Sequence, residues 1–252
     1  TEARKILFDT GYSDVFIRNA QKMEIGLFDL DYVILSHGHL DHTWGLIPLV
    51  KHFTEAAIEK KQVRNPELVA HPWCFYPKPK PPLGNSGSLL TEAEAGHWFT
   101  MTLSHTPLWL TSNLVFLGEI EQTFDFEYVD PGKRKIIMPD GRTEPDQLRD
   151  DSALACRTPE GLVIVTGCSH AGICNIVEYA RKVCGDDRVR DIIGGLHLRD
   201  PGTERLEKTC RYLGSLGLEA LHACHCTSLS SKIALAGNCP VREVGSGMQL
   251  EW

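Results

Sequence analysis

The chain has 252 residues, 42% of them hydrophobic and 23% charged, which suits a soluble globular protein with a substantial core, in one large domain or two small ones. A formal charge of −7 with no Lys/Arg-rich tract argues against a nucleic-acid partner. No apolar run reaches the roughly 18 to 20 residues of a membrane helix, and Thr1-Glu2-Ala3-Arg4 leads towards a strand rather than a signal peptide. Nine cysteines without a paired CxxC spacing read as small buried hydrophobes in a reducing compartment, so the expected location is the cytoplasm.

Lys5 to Asp9 reads as a short buried strand ending in the Thr-Gly turn of "FDTG". A helix is expected from Ser13 to Met23, capped by Ser13. "DYVILS" follows as a strand, then "SHGHLDH", then a helix through "HTWGLIPLVKHF" with Trp44, Ile47 and Val50 on its apolar face. "HPWCFYPKPKPPLGNSGS" holds too many prolines for helix or central strand, and is expected as a loop over the site edge, residues 72–90. Strands are expected over Trp98 to Ser104 and Leu108 to Leu117, and the charged, Pro/Gly-punctuated stretch 121–150 is expected to lie over one edge of the fold.

The second half runs β-β-α-β-α-β-α. "DSALACRT" and "GLVIVTG" form a hairpin, and "CSHAGICNIVEYARKV" a helix with Ile173, Ile176, Val177 and Ala180 inward. A strand then ends at His197. A helix capped by Thr203 carries Leu206, Cys210, Leu213 and Leu216 on one face, a further strand ends at His225, and "SLSSKIALAG" is the last helix. Helix and strand alternation of this kind argues an α/β layer architecture.

Strand ends at His37/His39, His170, His197 and His225 put histidines where an α/β sheet collects its chemistry. His37 and His39, two apart in extended chain, point the same way and can grip one ion, with Gly38 permitting the tight backbone. Asp41 and His42, at the next helix start, can serve a neighbouring position about 3.5 to 4 Å away. His71 is expected to close a turn, and His97, His105 and His222 carry no functional signal.

"SHGHLDH" resembles the HxHxDH signature of the metallo-β-lactamase superfamily, and "FDTG", "GCSH" and "HCT" extend the resemblance over nearly the whole chain. "LGEI", "TGCSHAGICNI" and "IGGLHL" are most similar to its branch named after a dihydropterin ribofuranosylaminobenzene phosphate synthase. The resemblance implies a single domain over 1–252 with an αββα sandwich, two β-sheets flanked by helices, and a chain that starts past the usual first strand or two. It implies His37, His39 and His170 on a first metal, and Asp41, His42 and His225 on a second. Asp9 and Cys168 would lie beside these ligands, Asp9 orienting a histidine.

The carboxylate that usually bridges both ions is replaced by "GGLHL". His197 becomes the candidate there, and a neutral imidazole cannot bridge two cations as a carboxylate does. Asp41 and His197 are therefore the residues expected to touch the reacting groups. One or two Zn²⁺ ions are expected, with iron or manganese also compatible with His/Asp donors. Glu119 and Asp151 are carboxylates near strand ends for which a surface role is expected, and Cys226 is expected to be buried beside the ligands.

Three functions follow. The first is a hydrolase in which an ion-bound hydroxide attacks an ester, phosphoester or lactone of a small molecule. The second, implied by the branch resemblance, is a synthase condensing a dihydropterin pyrophosphate with an aminobenzene ribofuranosyl phosphate, with Trp73, Phe75 and Tyr76 walling the pocket and Lys78 or Lys80 meeting phosphate. The third is a small-ligand binder that keeps the fold without catalysis. The partner in each is a small molecule, with a homo-oligomer also compatible.

Overall fold

A computed structural model describes residues 3–128 and 130–252. Thr1 and Glu2 of the expected lead-in, and Val129 of the charged stretch, lie outside the described residues. The chain forms two compact units, one from the described residues of 1–105 and 131–150, the other from those of 106–130 and 151–252.

The first unit is built on four parallel strands in the order β1-β2-β3-β4: β1 (Ile6–Phe8), β2 (Tyr32–Ile34), β3 (Glu67–Ala70) and β4 (Thr100–Leu103). Val33, Ile34, Leu68, Val69 and Ala70 are fully buried, as expected of a parallel sheet covered on its faces. Helix α1 (Val15–Lys22) starts after Asp14. Ser13 is therefore one position too early to cap it, and its hydroxyl only accepts the Val15 N–H at 3.4 Å.

The helix expected after the histidine cluster is two, α2 (Leu40–Thr43) and α3 (Leu46–Ile58). They part at Gly45, where a Cβ would lie 2.0 Å from the Thr10 carbonyl oxygen, so the break is where two backbones cross. It shifts the inward face: Leu46, Leu49 and Ala56 are buried, while Trp44, Ile47 and Val50 are only half-buried.

Strand β3 and the short helix α4 (Glu92–Ala95) were not anticipated from the sequence, although α4 carries a full capping box, Thr91 with Glu94. The proline-rich segment is irregular apart from a 3₁₀ turn at Pro72–Phe75 and a two-residue ribbon, Pro79–Lys80 against Gly84–Asn85. Residues 131–150 belong to this unit through a small ribbon, Lys135–Ile137 with Thr143–Pro145, whose Ile137 N–H donates to the Pro77 carbonyl at 2.9 Å.

The second unit has six strands in the order β10-β9-β8-β7-β6-β5: β5 (Leu108–Trp109), β6 (Leu114–Phe116), β7 (Ala153–Thr158), β8 (Gly161–Thr166), β9 (Val189–Gly195) and β10 (Ala220–Cys224). The expected run from Leu108 to Leu117 folds back on itself, because the Thr111 hydroxyl accepts the N–H groups of Asn113 and Leu114 and closes a turn. The β7/β8 hairpin is as expected, and β8, β9 and β10 are parallel.

Helix α5 (Ile173–Cys184) buries Ile173, Ile176, Val177 and Ala180 completely. Helix α6 (Thr203–Ser215) begins at Thr203 itself, with Gly202 preceding it as the cap, and buries Cys210 and Leu213. Helix α7 (Leu229–Ala236) is capped by the Ser228 hydroxyl, which accepts the Ser231 N–H at 3.3 Å. Among the described residues no helix is long and apolar enough to cross a membrane.

Candidate metal centre

In the first unit the chemistry collects just beyond β1 and β2. Asp9, at φ 59°, accepts the Ser36 N–H and hydroxyl, both at 2.7 Å, and pairs with His42 Nδ1 at 2.7 Å. Ser36 Oγ also meets His37 Nδ1 at 3.0 Å, and His37 Nε2 faces His39 Nδ1 at 3.0 Å. The His37 ring centroid lies 4.7 Å from that of His39 and 4.1 Å from that of His42. Asp41 is partly exposed, its carboxylate 3.8 Å from His42 Nε2.

Asp9 thus holds His42 directly and His37 through Ser36, while His39 packs edge-on against His37, so the three imidazoles present ring nitrogens close together. Burial pulls the His39 pKa down to about 4, so its ring is neutral at pH 7, the form a metal requires.

Gly38 is needed for close approach rather than for its own dihedral freedom. A Cβ there would sit 2.6 Å from the Cys74 carbonyl oxygen, and its N–H donates to Asp150 Oδ2 at 2.8 Å. Asp150 is fully buried and shares Lys78 Nζ, at 3.3 Å, with Asp146, at 3.1 Å. Lys78 is buried between these two carboxylates and is not available to a phosphate. Lys80 remains exposed.

Phe75 packs into the hydrophobic core, whereas Trp73 and Tyr76 stack at 6.3 Å with the Arg149 guanidinium 5.7 Å from the Trp73 ring. His71 Nδ1 accepts the Trp73 N–H at 3.2 Å and closes the expected turn.

In the second unit the residues after three parallel strands carry the histidines. Ser169, His197 and His225 have φ of 58°, 50° and 51°, a left-handed conformation uncommon for side-chain-bearing residues. The rings of His170 and His197 are 4.3 Å apart, and His197 Nδ1 is buried with no hydrogen-bond partner among the described residues.

Cys168 and Cys226 are buried. The hydrogen bond with the Cys168 side chain, aided by those from His197, outweighs burial and holds the Cys226 thiol below its ordinary pKa. Asp151 is also buried rather than on the surface, because its Oδ2 accepts the Ala171 N–H at 2.9 Å. Glu119 is half-buried. His222 pairs with buried Asp191 at 2.9 Å and is structural.

The donor set fits a divalent transition ion: imidazoles, one carboxylate, thiols, and a buried imidazole nitrogen with no hydrogen-bond partner among the described residues. Sequence reasoning missed Ser36 and the Lys78/Asp146/Asp150 cluster. Ser36 could have been noticed beside the motif, whereas nothing local announces a buried lysine.

The metallo-β-lactamase superfamily profile matches residues 1–225, and the chain belongs to that superfamily. It is 33% identical over 242 residues, 91% of this chain and 77% of the relative, to the 7,8-dihydropterin-6-methyl-4-(β-D-ribofuranosyl)-aminobenzene-5′-phosphate synthase of Methanocaldococcus jannaschii. An uncharacterized protein of the same organism is 25% identical over 236 residues, 92% of this chain and 83% of that one. A crystal structure of a metal-dependent hydrolase of the β-lactamase superfamily superposes with a TM-score of 0.82 at 27% identity, covering 98% of this chain and 89% of that chain. The α/β metallo-β-lactamase fold expected from the sequence is the fold of this protein.

Proposed function

We propose that the protein is a metal-dependent hydrolase of a small-molecule ester, phosphoester or lactone, with His37, His39 and His170 holding one ion and Asp41, His42 and His225 a second. The observation that carries the reading is the network in which Asp9 and Ser36 orient His37 and His42 against His39. Superfamily membership and the likeness to a metal-dependent hydrolase support it.

When bound, zinc-class ions supply Lewis acidity, lowering the pKa of water and polarising the bond under attack. The chain's own groups do the rest. Asp9 fixes the proton of His42 on Nδ1, which presents the unprotonated Nε2 as the nitrogen able to ligate. His39 is neutral and needs no deprotonation. His197, whose buried Nδ1 has no hydrogen-bond partner among the described residues, and the half-exposed Asp41 are the groups that would meet the reacting atoms.

A second reading, synthesis from a dihydropterin pyrophosphate and an aminobenzene ribofuranosyl phosphate, is favoured by the 33% identity to a synthase of that kind. The Trp73/Tyr76 stack offers a planar ring a platform, with Arg149 and Lys80 as the cations for phosphate in place of Lys78. One experiment separates the two. Metal-loaded and metal-stripped protein are assayed on aryl esters, an aryl phosphodiester and a lactone, and on the two synthase substrates with pyrophosphate release as readout. Metal-dependent cleavage in the first panel supports the hydrolase; equal rates with and without metal overturn it. Pyrophosphate release only when both synthase substrates are present moves the assignment to the synthase, and its absence in metal-loaded protein excludes that reading.

A further inference from the structure

Strand β9 ends in Gly194-Gly195-Leu196-His197, with no carboxylate in it to offset the charge of two ions. In the assignment above Asp41 supplies one negative charge against four positive ones, and the imidazoles supply none. The second unit gathers donors that become anionic when they ligate. One ligand atom each from Cys168, His225 and Cys226 lies within 4.8 Å of the others.

We propose that Cys226, with Cys168, donates sulfur to the ion held by His225, so that thiolates take over the charge role of the missing carboxylate. The proposal rests on His225 being a ligand, as read above. Three features of the second unit carry it. Tetrahedral donors at 2.0 to 2.3 Å from an ion are roughly 3.3 to 3.8 Å apart, so no pair in this group needs to close by more than about 1.5 Å. Gly195 leaves the room: a Cβ there would be 2.7 Å from Cys226 Sγ and 3.3 Å from His225 Cδ2. The His197 N–H donates to Cys226 Sγ at 3.2 Å, the kind of bond that stabilises a ligating sulfur, and Cys226 Sγ also meets the Cys168 carbonyl at 3.4 Å.

Both sulfurs ligate as thiolates, any proton they carry passing to solvent on binding, and two sulfurs favour a zinc-class ion over manganese or magnesium. The cysteines then set which ion the protein keeps.

The test is zinc K-edge absorption on the unmodified, zinc-loaded chain, which needs no variant to fold. A sulfur shell at about 2.3 Å beside nitrogen and oxygen at about 2.0 to 2.1 Å is expected. With Co²⁺ in place of zinc, a thiolate-to-cobalt charge-transfer band in the near ultraviolet is expected, lost in Cys226→Ser, weakened in Cys168→Ser and kept in Cys156→Ser on β7. A shell without sulfur at full zinc loading overturns the proposal and leaves the histidine assignment standing. A sulfur shell that persists while His37→Ala changes neither metal content nor turnover does the opposite. A chain that retains no metal overturns both.

Discussion

Asp9 carries more of the site than its position in a turn suggests. Its φ of 59° is an uncommon backbone state for aspartate, and its two oxygens serve the Ser36 N–H, the Ser36 hydroxyl and His42 Nδ1. Asp9→Asn keeps the shape but removes the charge that favours the Nδ1–H tautomer of His42. Metal affinity measured by chelator competition is expected to fall about 10- to 100-fold, with the folded fraction unchanged; wild-type affinity in the variant would show that Asp9 does not position a ligand. The aspartate was legible in "FDTG" because the motif is local. Ser36 was not, because a serine beside a histidine has many uses and only its approach to Asp9, 27 residues away, reveals this one.

Among the elements, the histidine loop is pinned from a distance. Asp150 binds the Gly38 N–H and, with Asp146, the buried Lys78 ammonium. Lys78→Met strands two buried carboxylates and is expected to cost about 3 to 5 kcal/mol in urea unfolding. Adding Asp146→Asn should recover part of that loss, and an additive double variant would deny the pairing.

At the start of α5, Gly172 has φ 97° and buried Glu127 Oε2 accepts the Asn175 N–H at 2.8 Å. Burial raises the Glu127 pKa above its ordinary 4.5, so between that value and the folded one the native state binds more protons than the unfolded state. Stability therefore falls as pH rises through this window. Glu127→Gln should shrink the difference between urea midpoints at pH 5 and pH 7.5, and a variant with the full wild-type decrease would refute the assignment. Helices with a clear apolar face, such as α5 and α6, could be read directly. Strand β3 could not, because a four-residue run sandwiched between a helix and a proline-rich loop shows no alternation when every side is covered.

At the scale of the molecule, a metal that binds only the folded chain adds to its stability by mass action. Free ion at about 100 times its dissociation constant is expected to contribute about 2.7 kcal/mol, and chelation should lower the thermal midpoint accordingly. An unchanged midpoint after complete stripping would show that the ligands gain nothing from the ion. Sequence alone determined the superfamily, the strand-end positions of the histidines and most helix faces, because ligand spacing and 3.6-residue periodicity are properties of neighbours along the chain. Tertiary structure decided that Lys78 and Asp151 are buried, that Ser36 and Asp9 work together, and that Cys168, His225 and Cys226 gather in one place. Asp150 reaches Gly38 across 112 residues. Whether a polar group is buried, and which partner satisfies it there, depends on such distant segments, so it is fixed only when the chain has folded.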